Sequence, residues 1–410
     1  MSAQVNRYPR YGWVVLGMAC LTMVTMMWGW QMMPALAYQL VPELKLTQQQ
    51  FTLIFTAPVL VAIFTSLPGG ALGDRYGIRA VVAVAAFVAA VSGLLRAFTP
   101  SFTGLFVLML IRGVAWGMAI PNLPKLVGVW FPPERSGIAS GIYMGSMGAG
   151  GAIGLFTAPF FPGWREAFIY TGILSLIVAV FWTLFARSCP AGVHIERPDI
   201  ISGVKVGMKS RNIWLLAVTQ FLIQGSLISF QGNLPQALTS IYNMSPQAAA
   251  SVPAIMTLGF VTGNLFLPML SDRIGLRKPF VFAGALIGAA ILYFSWLTAP
   301  GAGVWVLSYL GGMVAGGAPP VLFTIPAELP EIGEAYVGGA SGIIVSAMNA
   351  GGFLLSVLVT SPIMAAGTGS AYTTGFLVSM LLLASIAIPT LFLTETGRKK
   401  RKSEQNAVRL

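Results

Sequence analysis

Leu72-Gly73-Asp74-Arg75-Tyr76-Gly77-Ile78-Arg79 returns 198 residues later as Leu270-Ser271-Asp272-Arg273-Ile274-Gly275-Leu276-Arg277. Both octets are charged, and both interrupt long apolar stretches. A pattern that recurs at this distance marks an internal duplication. Each half carries a charged turn at the same place between two hydrophobic segments.

Outward from the octets, charge is scarce. Hydrophobic residues make up 56% of the 410-residue chain and charged residues only 9%, against roughly 25% charged in a soluble protein. Tyr11–Pro42, Asn212–Ser271, Pro279–Ala327 and Ala335–Thr394 hold no charge at all. A membrane-spanning helix needs about 20 apolar residues, so the two longest of these stretches each accommodate two spans. The apolar run before Ala35-Leu36-Ala37 is too long for a signal peptide and reads as a retained first helix.

Turn residues and charges divide the chain into twelve apolar segments, at about 12–38, 51–72, 80–98, 102–130, 137–160, 164–187, 212–238, 247–270, 279–298, 303–326, 338–365 and 371–394. The expected organisation is an all-α polytopic membrane protein of two pseudo-symmetric six-helix bundles, 1–187 and 212–397. A linker at 188–211 joins them, and a basic tail follows at 398–410. With both termini inside, 19 of the 24 Lys and Arg residues fall on the cytoplasmic side, with Lys45, Arg96 and Arg165 outside. That bias fits the positive-inside rule. It accounts for the net charge of +12 without nucleic acid, with Arg398–Lys402 resting on anionic lipid.

The duplication extends past the octets. Ala139-Ser140-Gly141-Ile142, with Met147, Ala149, Gly150 and Gly151, matches Ala340-Ser341-Gly342-Ile343, with Met348, Ala350, Gly351 and Gly352. Such small-residue stripes let helix backbones approach closely in lipid. Trp30-Gln31 before Pro34 corresponds to Phe230-Gln231 before Pro235, and Ala119 with Pro121 to Ala318 with Pro320. Duplicated halves of this kind build secondary transporters, whose substrate sites lie near the bilayer midplane.

The octet with Gly70 ahead of it resembles the signature loop of the major facilitator superfamily, and the second octet resembles its weaker copy. Arg112 followed by Gly117 is similar to that family's fourth-helix arginine motif, with the glycine one residue late. Gly163-Trp164-Arg165-Glu166-Ala167-Phe168 resembles the start of its sixth helix. The resemblance covers essentially the whole chain. It implies a twelve-helix transporter working by alternating access. It also implies that Gly70, Asp74, Arg75, Gly77, Arg79, Arg135, Asp272, Arg273, Gly275 and Arg277 hold one face shut and release it as the halves rock. The fifth segment, Gly145–Gly154, has no proline, which departs from the Gly-Pro pair of the family's drug exporters. Asn122-Leu123-Pro124-Lys125 before Phe131-Pro132 resembles the cyanate-porter group, which includes carriers of small anions.

The twelve acids sit in loops or at helix ends, Asp74 and Asp272 just past them, so none is placed mid-membrane to relay protons. The two charges placed within the membrane, Arg112 and Lys125, are both positive. With no buried acid expected nearby, their partners are helix carbonyls, cavity water or an anionic substrate. Arg112 also has a structural reading, and Lys125 has a competing one as a side chain reaching for the interface. Pro121 and Pro124 stand close to Lys125, and its repeat partner is Thr324. Gln31, Gln224, Gln231, Asn122, Tyr143 and Asn349 complete the candidate substrate contacts, each equally explicable as a bond between helices.

Cys20 and Cys189 fit neither a disulfide framework nor a metal site, and the lone His194 lies in a polar loop. The methionines of segment 1 read as packing rather than copper ligands. No cofactor is expected, and no nucleophile–base set points to an enzyme. The expected protein is a monomeric carrier, multi-pass in the cytoplasmic membrane, for a small anionic solute bound between segments 1, 4, 5, 7, 10 and 11. Its coupling ion would be a proton or a counter-anion. Efflux of amphipathic drug-like compounds is the alternative, followed by a non-transporting receptor or scaffold of the same fold.

Overall fold

A computed structural model describes residues 10–131, 133–190, 200–332 and 336–397. His194, Arg7, Arg197 and the tail from Arg398 onward lie outside them. The described chain is helical almost throughout. In order, the helices are α1 (Gly12–Ala35), α2 (Ala37–Glu43), α3 (Gln48–Tyr76), α4 (Ile78–Leu95), α5 (Phe102–Ala119), α6 (Asn122–Trp130), α7 (Pro133–Thr157), α8 (Trp164–Phe185) and α9 (Ile200–Lys209). The second half continues with α10 (Arg211–Tyr242), α11 (Pro246–Ile274), α12 (Lys278–Leu297), α13 (Gly303–Gly316), α14 (Ala318–Glu328), α15 (Val337–Leu354), α16 (Ser361–Met364), α17 (Gly369–Ala384) and α18 (Ala387–Phe392).

Among the described residues, eleven helical segments are long and apolar enough to cross a membrane. The remaining long helix, α7, has 25 residues. It therefore spans about 38 Å, enough for a ~30 Å hydrocarbon core. Its glycines and serines make it less apolar, not shorter. The protein is an all-α, multi-pass membrane protein.

Two compact units divide the chain, one of Met1–Leu46 with Ala57–Arg197, the other of Thr47–Thr56 with Pro198–Leu410. In the first, α1 packs along α7, and α4 contacts α5 and α8. In the second, α10 packs along α15, and α12 contacts α13 and α17. These are the pairings that the repeat relates. The small-residue stripes mediate them: a Cβ added at Gly150 would lie 2.6 Å from the Val24 carbonyl oxygen, and one at Gly351 would overlap the Phe221 carbonyl. Helix backbones are in direct contact at both places.

The paired helices α5–α6 and α13–α14 both break at similar points, near Pro121 and before Pro320. Proline removes a helical hydrogen bond and crowds the preceding turn, which explains the break. The expected linker is not all irregular. It includes α9, whose Gly203 and Gly207 pack against Gly339 and Ala340 of α15.

Candidate transport site

The octets explain their own glycines. Gly77 has φ +90° and Gly275 φ +75°, a region where side chains with a Cβ are strained. Each lets one long helix end and the next begin within a few residues. The new helix starts need caps for their free N–H groups. At α4, Ser188 Oγ accepts from the Arg79 N–H at 3.0 Å. At α12, Glu395 accepts from the Arg277 N–H at 2.8 Å and the Lys278 N–H at 3.0 Å. A carboxylate there also complements the positive helix end.

Asp74 lies in the last turn of α3 and Asp272 in the last turn of α11, rather than just past the helices as the sequence pattern suggests. Gly70 and Asp74 are one turn apart and face the same neighbour. Lys125 Nζ, on α6, donates to both Asp74 carboxylate oxygens at 2.7 and 2.9 Å and to the Gly70 carbonyl at 3.2 Å. The expectation that Lys125 has no acid within reach is therefore corrected: its partner is the octet itself. Asp74 is 51 residues away and reads as a loop residue, which hides the pair from sequence inspection. Asn122, one turn before Lys125 and fully buried, donates to the Gly69 carbonyl at 2.8 Å and the Met118 carbonyl at 2.7 Å. Gly70, Asp74, Asn122 and Lys125 form one cluster.

The second octet is answered by an acid rather than a base. Arg277 is 8% exposed. Its Nη1 donates to Asp272 at 2.6 Å, and its Nη2 to Glu328, at the end of α14, at 2.7 Å. Thr396 Oγ1 also donates to Glu328. In the first unit an octet acid meets a base on the broken helix; in the second an octet base meets an acid there. Arg75, Arg135 and Arg273 are exposed. Arg79, also exposed, donates through Nη2 to the Thr183 carbonyl.

Arg112 is 4% exposed. It donates to the Ala89 carbonyl of α4 at 2.9 Å and the Met26 carbonyl of α1 at 2.6 Å. Its neighbours differ from those of Lys125, so the two intramembrane cations occupy separate places. Arg96, counted among the charges of the outer side, is buried in the protein at 1% exposure. It donates to the Gly29 carbonyl at 2.7 Å and sits 4.1 Å from the centre of the Phe168 ring. The signal was present: Arg96 is the lone charge between Arg79 and Arg112.

Gln31, Tyr143, Gln231 and Asn349 are buried, and Gln224 is half-buried. Gln231 Nε2 donates to Thr257 Oγ1 at 2.6 Å. Ser146 donates to the Tyr143 carbonyl at 2.6 Å. Cys20 and Cys189 are free thiols. No group of metal-ligating side chains occurs among the described residues.

The family model described as Major Facilitator Superfamily matches residues 16–356 and, in an overlapping stretch, 216–409. The chain belongs to the Major Facilitator Superfamily. This superfamily member is 25% identical, over 92% of its length and 94% of the relative's, to a protein of Mycobacterium tuberculosis named "Probable nitrate/nitrite transporter NarK2". It is 26% identical to a "Probable sulfoacetate transporter SauU" of Cupriavidus necator, over 86% of each chain. A crystal structure of a bacterial homologue of the human lysosomal transporter Spinster shares the fold with a TM-score of 0.74. That match has 14% identity and covers 93% of this chain and 95% of that one. The superfamily member is a transport protein and not an enzyme.

Proposed function

We propose that this transporter carries a small anionic solute across the cytoplasmic membrane by alternating access, with both termini on the cytoplasmic side. The observation that carries the reading is the sign of its buried charge. Arg96 and Arg112 are buried among the helices, whereas the acids seen in ion pairs lie near helix ends or at the surface. A cationic cargo would find no counter-charge inside; an anion would. The relatives named for nitrate, nitrite and sulfoacetate support the same class.

Gln31, Arg112, Asn122, Lys125, Tyr143, Gln224, Gln231 and Asn349 are the proposed substrate contacts. In this reading Lys125 alternates between two anionic partners, Asp74 and the cargo. The Asp74 and Arg277 clusters act as latches that re-form in each cycle. A proton or a counter-anion provides coupling, and a monomer in lipid suffices for transport.

Proteoliposome uptake of labelled nitrate, nitrite and sulfoacetate tests this, with cationic dyes as controls. At least one anion is expected to move. Lys125→Gln is expected to cut its uptake by tenfold or more, about 1.4 kcal/mol. Transport of dyes without any anion would sink the reading.

A further inference from the structure

Arg96 and Arg112 pose an electrostatic problem that their contacts do not solve. Both are almost fully buried. Each has five N–H donors in a planar fork and no acceptor. The partners that the structure gives them are all neutral. Arg112 donates to the carbonyls of Ala89 and Met26. Arg96 donates to those of Gly93 and Gly29 and to the Met109 sulfur, beneath the Phe168 ring. Among the described residues no carboxylate pairs with either one. Two buried like charges stand without a counter-ion there.

The two guanidiniums also face the same bare backbone. A Cβ added at Gly29 would lie 3.1 Å from Arg112 Nη2 and 3.6 Å from Arg96 Nη2. One added at Gly93 would lie 3.3 Å from Arg112 Nη1 and 3.8 Å from Arg96 Nη2. Glycine on α1 and glycine on α4 thus let both guanidiniums pack close together against the same bare backbone inside the first unit. Carbonyl dipoles attract a cation but do not neutralise it. Buried cations are retained where something pairs with them.

We propose that Arg96 and Arg112 together bind a small monovalent inorganic anion, of halide or nitrate size. It would be a resident ion that holds α1, α4 and α5 together; Arg112 then serves this ion, and the cargo meets the other proposed contacts. The burial of both side chains and the closeness of Gly29 and Gly93 exclude a larger organic anion. The planar fork of each guanidinium suits an ion held from two sides. Its ligands pair with neither Lys125 nor Asp74, so failure of this site leaves the reading of Lys125 as a cargo contact standing.

The test uses purified full-length protein in detergent, with gluconate as the only anion, titrated at constant ionic strength with bromide, which is not among the cargo candidates. The melting temperature of the wild type is expected to rise saturably. Arg96→Gln should raise the half-saturating concentration at least tenfold, whereas Lys125→Gln should leave it unchanged. A melting temperature indifferent to anion identity overturns the proposal, as does an unchanged half-saturation in Arg96→Gln. If Arg96→Gln fails to fold, Gly93→Ala replaces it. Its methyl group narrows the space beside Arg112 Nη1 and should weaken anion binding several-fold; no weakening counts against the site. Crystals soaked in bromide should show an anomalous peak in contact with both guanidiniums, and its absence is equally decisive.

Discussion

Single residues decide how the octets work. Gly77 and Gly275 hold equivalent places, yet their backbones differ: Gly275 is left-handed helical at φ +75°, ψ +28°, while Gly77 lies at φ +90°, ψ +139°. Asparagine tolerates the first conformation, but the second belongs almost solely to glycine. Gly275→Asn is therefore expected to lower the melting temperature little. Gly77→Asn should cost about 1–3 kcal/mol, read as a clear drop in the same thermal scan. Equal effects would contradict the backbone assignment. The Asp74–Lys125 pair is open to a second test. Asp74→Asn and Lys125→Gln should each destabilise, and the exchange Asp74→Lys with Lys125→Asp should recover part of the loss. A double-mutant cycle is expected to show a coupling of about 1 kcal/mol; a value near zero would mean that the pair is decorative. Both octets were visible in the sequence because their charges stand out against apolar surroundings. The partners were not, since Lys125 and Glu328 are each 51 residues from the group they bind. Local spacing says nothing about that distance.

At the scale of helices, the sequence was most legible where packing depends on size alone. The stripes of Gly150 and Gly351 pointed to close helix contacts, and the backbones of α1 and α10 meet them. Replacing Gly351 by alanine sets a methyl group against the Phe221 carbonyl. The expected cost is about 1–3 kcal/mol from overpacking, measured as lost stability in detergent. Ser341→Ala, at a half-buried position of the same helix, adds no atom and should cost far less. Arg96 shows where such reading fails. A charge near a segment end is normally placed at the water interface, but its long side chain can turn inward if carbonyls and a ring receive it. Only the path of α1 past Gly29 reveals that. The helix α9 was hidden in the linker for a related reason: its glycines bury against α15, so its stability comes from a distant contact rather than from local propensity.

For the whole molecule, the uneven distribution of Lys and Arg predicts topology. In a functional background with Cys20 and Cys189 replaced by serine, single cysteines at Lys45 and Lys209 should react with an impermeant maleimide from opposite faces of the membrane. Lys209 should be reached only from the cytoplasmic side; labelling of both from one face would refute the twelve-span path.

The two octets carry the same signs at equivalent places, Asp74 with Asp272 and Arg79 with Arg277. What differs is the helix that answers them: Lys125 of α6 meets the acid in the first unit, and Glu328 of α14 meets the base in the second. The broken helices α5–α6 and α13–α14 are built alike, and on shape alone could be swapped. A swap would leave Asp74 without its base and Arg277 without Glu328. Each half has kept the common loop and specialised the helix that answers it, so each varies in step with its own partner.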